Sequence, residues 1–108
     1  MRKAAIYRNG DLVGTLTEES RSSYVFRYDD RWLADAKKPA VSLTLPKSQP
    51  EYRSEVLFPF FFNLLSEGVN RQLQSRQLKI DEADHFGLLL ATAQYDTIGA
   101  ITVKPISE

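Results

Sequence analysis

The sequence predicts an α+β fold with a small, mostly antiparallel sheet, and three observations predict it. Asn9-Gly10 lies between two apolar β-forming runs, "AAIYR" and "DLVGTL", the strongest short-range hairpin signal. Tyr24, Phe26 and Tyr28 alternate, placing three aromatic rings on one face of a strand. Phe86, Leu89, Leu90 and Ala93 recur at helical spacing. Strands come first, about three helices follow, and a strand closes the chain, an order that argues for one α+β domain over 1–108.

In chain order, the N-terminal hairpin should set Arg8 opposite Asp11, Tyr7 opposite Leu12 and Ile6 opposite Val13, with Asn9 and Gly10 both at positive φ. "SSYVFRYDD" reads as the third strand and "DDRWLADA" as a short helical turn capped by Asp29 or Asp30. "AVSLTLP" reads as a short strand with Val41, Leu43 and Leu45 inward, ended by Pro46. The proline-flanked stretch "PKSQPEYRS" reads as an exposed loop.

Ser54 could cap the next helix, but Pro59 would then lie one step too deep, so the helix either starts a residue or two later or bends there. Phe61, Leu64 and Leu65 follow helical spacing, with Phe58 and Phe62 on a neighbouring stripe, a helix apolar over most of its circumference. "VNRQLQSRQLKI" reads as a surface helix with Val69 and Leu73 as its narrow apolar stripe. "DEADHFGLLLATAQ" has an acidic first turn, and "DTIGAITVKP" is a turn and a strand stopped by Pro105.

Composition narrows function. Fourteen basic residues balance 14 acidic ones, which argues against a nucleic-acid footprint over the whole surface. The chain has no cysteine, which removes disulfides and thiolate metal sites and fits a reducing cytoplasm. The run from Val56 to Phe62 is seven residues, far short of the roughly 20 a bilayer needs. The start of the chain has no apolar stretch of signal-peptide length.

Signals for catalysis are poor. His85 is the single histidine, and the carboxylates of "DEADH" are too close in sequence to converge on one metal. No nucleophile elbow, P-loop or Gly-rich phosphate cradle is present. "DHFG" resembles the kinase Asp-Phe-Gly triplet with a histidine inserted, but no His-Arg-Asp loop precedes it. The expectation is a non-enzyme with no cofactor and no metal. Arg71, Arg76 and Lys79 could form one weakly basic helix face, which leaves a weak nucleic-acid binder as a remote alternative.

Binding residues are better marked. Tyr52 is one large aromatic between Glu51 and Arg53 in a polar stretch, the pattern of an interface anchor. Trp32 is either a second anchor or a residue packed beneath a loop. Glu67 and Arg71 are four apart and could simply pair on a helix.

The elements "YRNGDLVGTL", "FRYDDRWL", "AVSLTLP", "VLFPFFFNLLSEG" with Arg71 after it, and "LLLATAQYDTIGAITVKP" together resemble the N-terminal subdomain of the HipA-type serine/threonine kinase toxins. Two positions depart from the family pattern. Ser66 stands where Leu-Leu-Pro-Glu-Gly has proline, and Gln94 stands where a Gly-x-Asp has glycine, while Asp96, Gly99 and Ala100 keep it.

The resemblance covers nearly the whole chain. It implies a stand-alone version of that subdomain, similar to the HipS protein of three-component HipBST-type toxin–antitoxin systems. It also implies the partners: a HipA-like kinase (HipT-type) that the small protein binds and inhibits, and a DNA-binding HipB-type subunit in the larger complex. Direct contact with nucleic acid or membrane is not expected. The Glu-Gly turn and its arginine form a motif of their own, so the resemblance sets Glu67 and Arg71 beside Tyr52 and Trp32 as partner-binding candidates. The other reading is an N-terminal piece of a full-length HipA-like kinase.

Overall fold

The computed structural model describes residues 2–65, 68–92 and 101–106, with 68–71 as backbone only. Strands β1 (Arg2–Arg8), β2 (Asp11–Ser20) and β3 (Ser23–Tyr28) precede helix α1 (Asp30–Ala34). Then come β4 (Glu51–Ser54), α2 (Pro59–Phe62), α3 (Gly68–Leu78), α4 (His85–Thr92) and β5 (Ile101–Ile106). The five strands pair antiparallel in the order β4-β3-β2-β1-β5, so the predicted α+β fold with an N-terminal hairpin and a closing strand is the one observed.

The hairpin turn has Asn9 at φ 50° and Gly10 at φ 85°, as a type I′ turn needs. Arg8 faces Asp11 and Tyr7 faces Leu12, but Ile6 faces Gly14 instead of the expected Val13. A bulge places Val13 as the extra residue and turns its side chain into the core. Its carbonyl is then free to accept a bond from the Asp29 amide at 2.8 Å, which ties the hairpin to the start of α1. The residue after it must be glycine, because a Cβ at Gly14 would lie 2.3 Å from the Arg27 carbonyl oxygen.

The register gives the sheet two unlike faces. One carries Ala4, Ile6, Leu16, Phe26, Tyr28 and Val103, all buried. The other carries Lys3, Thr15, Thr17, Arg27, Arg53 and Lys104, with Arg53 paired to Glu19 and Glu51 at 3.2 and 3.4 Å. That second face also holds Ala5 and Val25, buried but outside the main core cluster, so the first face is the one that needs a layer of cover.

Pro59 explains how that cover is built. It occupies the first turn of α2, where its missing N–H costs nothing; the cap position falls at Phe58, later than the expected residue or two beyond Ser54, and Ser54 ends β4 instead. Phe61 then points straight into the sheet and is 0% exposed. Its ring lies 5.5 Å from Phe26, 6.3 Å from Phe58 and 5.2 Å from Phe60. Phe26 in turn meets Tyr28 edge-on at 4.9 Å. The phenylalanine cluster is the plug of the core. After one turn the chain continues as a tighter coil, and this buries Leu65 while leaving Leu64 only half-buried.

From α4 come Phe86, Leu88 and Leu89, with Leu90 half-buried, so the buried arc is turned slightly from the expected one. Ala93, the last residue of that expected stripe, lies outside the described residues. Helix α3 packs against α4 and is the expected surface helix; Leu73 of its narrow stripe is 48% exposed, and the Val69 side chain lies outside the described residues. Pro105 lies within β5 instead of ending it, as an edge strand allows.

Two further expectations are corrected. "AVSLTLP" is a turn: the Ser42 hydroxyl accepts from the Thr44 amide, and the Leu45 amide closes on the Ser42 carbonyl at 3.1 Å. Val41 and Leu45 stay inward, but Leu43 is thrown out to full exposure. Residues 51–54, read as loop, are the edge strand β4.

Phe61→Ala should cost about 3–5 kcal/mol, most of the stability of a small domain, and leave little cooperative melting. Gly14→Ala should destabilise comparably by displacing β3, whereas Leu73→Ala should melt within about 2 °C of the parent. Thermal melting followed by circular dichroism reads all three.

Candidate partner-binding surface

The chain from β4 to α2 makes one surface on its way to the core. The Val56 amide donates to Ser54 Oγ at 3.2 Å, holding the bend after the strand. Leu57 and Phe58 turn inward as the chain reaches Pro59. Because α2 begins at Pro59 and buries Phe61, the side chains of Val56 and Pro59 remain outside, and Phe62 stays half-buried at the edge of the core. Together with Leu57, Asn63 and His85 they line an open hollow of about 330 Å³. Val56 is 65% exposed, and the His85 ring stands edge-on to Phe62 at 4.9 Å. Asn63 and His85 supply the polar rim of an otherwise apolar depression, the arrangement that accepts an apolar side chain of a partner.

His85 also borders a second, polar cleft of about 470 Å³, whose centre is Arg2. The Arg2 guanidinium donates to both oxygens of Asp84, at 3.0 and 2.8 Å, and through Nε to Glu18 at 2.8 Å. It also lies 5.2 Å from the centre of the Phe86 ring. One side chain thus fastens β1, β2 and the start of α4 at the open end of the core. Asp84 accepts from the Gly87 amide at 3.1 Å as well, capping α4. A Cβ at Gly87 would sit 2.3 Å from Asp84 Oδ2, so the clamp requires glycine there. The guanidinium holds the Asp84 carboxyl below the usual carboxylate range, against partial burial, which pushes it up, and with help from the Gly87 amide. The same pair raises Arg2, so the cation is permanent.

The sequence-derived site residues fall in different places. Tyr52 is half-buried in β4 opposite Phe26, and its hydroxyl donates to the Pro46 carbonyl. Trp32 is 4% exposed and donates its indole N–H to the Pro39 carbonyl at 2.9 Å, the under-a-loop alternative. Glu67 and the Arg71 side chain lie outside the described residues, as do Gln94, Asp96, Gly99 and Ala100. The hollow itself escaped sequence reasoning. The signal that could have found it is Pro59: once it is fixed as the first helical residue, Val56 must precede the helix and cannot share its buried stripe.

Fold and surface together define a small α+β domain with a one-sided sheet and an open apolar hollow beside the helices that cover it. The chain belongs to the HipA N-terminal domain family, whose model matches residues 4–104. It resembles a solved structure of the N-terminal domain of HipA toxin, with a TM-score of 0.75 over all of this chain and 95% of that one, at 24% identity. An uncharacterized protein of Haemophilus influenzae is 29% identical over 96% of this chain and 92% of its own length. Two proteins of Sinorhizobium fredii are longer: Putative kinase Y4mE is 29% identical over 97% of this chain, and Putative kinase Y4dM 33% identical over 89%. The chain spans only 25% of each of these two. Among the described residues no helix is long and apolar enough to cross a membrane, and no group of three metal-ligating side chains occurs.

The Arg2–Asp84 clamp makes stability pH-dependent. A carboxyl lowered on folding contributes fully above its unfolded value of 3.8, and this contribution disappears as pH falls through the lower folded-state value. Asp84→Asn should therefore lower the melting temperature at pH 7 by about 5 °C, for a loss of about 1 kcal/mol. The gap from the parent should close as pH falls below about 4. A gap unchanged from pH 7 to pH 2 would show that the carboxylate charge contributes nothing.

Proposed function

We propose that this chain is a non-catalytic antitoxin that binds a HipA-like serine/threonine kinase of the HipT type and restrains it. In this reading the complex also holds a DNA-binding HipB-type subunit and forms in the cytoplasm. The observation that carries the reading is the hollow of Val56, Pro59 and Phe62, an apolar depression with a polar rim. Family membership supplies the partner class. The domain is found at the size of this chain in the Haemophilus relative and as a quarter of each putative kinase. A domain carried within a kinase has a face toward the rest of that protein, and the same face on a small protein can meet a kinase in trans. Glu67 and Arg71 belong to the proposed contact through the Glu-Gly motif, and Tyr52 through its place at the adjoining edge strand. Trp32, being buried, is left out.

The second reading, an N-terminal piece of a longer HipA-like kinase, draws on the 25% coverage of the two putative kinases. Co-expression separates the two. An antitoxin supplied on its own gene restores growth to cells making the kinase and co-purifies with it. A kinase fragment co-purifies, if at all, without relieving toxicity.

Val56→Asp should melt within about 2 °C of the parent, because the residue is largely exposed, yet bind the kinase at least about tenfold more weakly and fail to rescue growth. Full rescue by this variant would move the interface elsewhere. Calorimetric titration of the isolated chain with ATP·Mg²⁺ should detect no binding tighter than about 100 µM, and a tighter site would contradict a non-catalytic role.

A further inference from the structure

Residues 35–50, between the end of α1 and the start of β4, contain neither helix nor strand. Irregular segments longer than about 12–15 residues are usually either functional or disordered. This one is held from several sides. The Tyr28 hydroxyl donates to the Leu45 carbonyl and accepts from the Val41 amide at 3.0 Å. Trp32 holds Pro39, and Lys47 Nζ donates to the carbonyls of Asp35 and Lys38 at 2.6 and 2.8 Å. Val41 and Leu45 anchor the loop in the core. Between these anchors the Ser42–Leu45 turn holds up a single apolar side chain, Leu43, which is 100% exposed.

A leucine with no contact on its own protein, presented by a pre-ordered loop, has the properties of a binding knob. Little backbone freedom remains to be lost when it docks, which leaves only the rotamers of one leucine to be fixed. Its side chain has no polar atom, so burial is the only recognition available to it. A nucleic-acid backbone or a small anion offers nothing in return, whereas an apolar pocket in a protein does. The flanking hydroxyls of Ser42 and Thr44, bonded to one another at 3.0 Å, form a polar collar around it.

The loop is also tied to the strand that leads to the hollow. Tyr52 of β4 grips Pro46, and β4 leads within two residues to Val56. Knob and hollow thus lie on connected segments, one projecting and one receding. We infer that Leu43 inserts into an apolar pocket of the HipA-like kinase and forms, with the Val56–Phe62 hollow, a two-point attachment. This rests on the proposed antitoxin role and adds the residue that projects into the partner.

The test measures binding of the full chain to the purified kinase by calorimetry, beside melting of the free protein. Leu43→Asp should melt like the parent and bind at least about tenfold more weakly, Leu43→Ala should lie between, and Leu43→Met should bind within about threefold. If the parent binds and Leu43→Asp binds equally well, the inference fails and the antitoxin reading stands. If the parent does not bind, the antitoxin reading fails and this inference with it. A self-association of the free protein that Leu43→Asp abolishes, with kinase binding unchanged, would assign the knob to a second copy and likewise overturn it.

Discussion

Everything else in this protein follows from a sheet with one apolar face. Ala4, Ile6, Leu16, Phe26 and Tyr28 point to the same side, and water must be kept from them by segments that have little regular structure of their own. Two short helical pieces and a long braced loop do most of that work. Phe61 is the point at which cover and sheet meet, with its ring against Phe26 and its helix begun by Pro59. A cover made of short pieces cannot hide all its apolar side chains at once. Burying Phe61 leaves Val56 outward and Phe62 only half-buried, and burying Val41 and Leu45 on either side of a tight turn leaves Leu43 outward. The surface available to a partner is a geometric consequence of how the core is closed.

The N-terminal hairpin, the third strand and the first helix cap are legible because their causes are local. Asn9-Gly10 at positive φ, the aromatic alternation of Tyr24, Phe26 and Tyr28, and the Asp29 cap of α1 each depend on a few adjacent residues. The misread segments depend on distant partners. Val13 bulges because its carbonyl serves Asp29, and Gly14 is required by Arg27 of the neighbouring strand. The Tyr28 hydroxyl holds the "AVSLTLP" turn from across the core, and nothing within those seven residues announces it. Edge strand β4 is hidden by its polar composition, since of the two residues it turns to the core face, Tyr52 and Ser54, only Tyr52 is apolar. The family was legible from spaced motifs covering most of the chain, whereas the hollow was not, because it is formed by residues that local pattern places in a buried helix.

The Arg2 clamp closes the open end of the same layer. Its guanidinium binds two carboxylates and overlies Phe86, so the last strip of the apolar face ends in a hydrogen-bonded ion cluster. The polar cleft around Arg2 and the apolar hollow share His85 at their border. One side of this layer is therefore held by its own ion pairs while the adjoining side offers apolar contact.

Hydrogen exchange on the free chain and on its complex with the kinase, read by mass spectrometry, tests this most directly. The account predicts new protection of amides in 41–46 and 55–63, with no change at the Asn9-Gly10 turn or in the strand amides already protected within the sheet. Protection confined to the hairpin, or none in either of the two named segments, would contradict the claim that the partner is met by the residues left outside when the core closes.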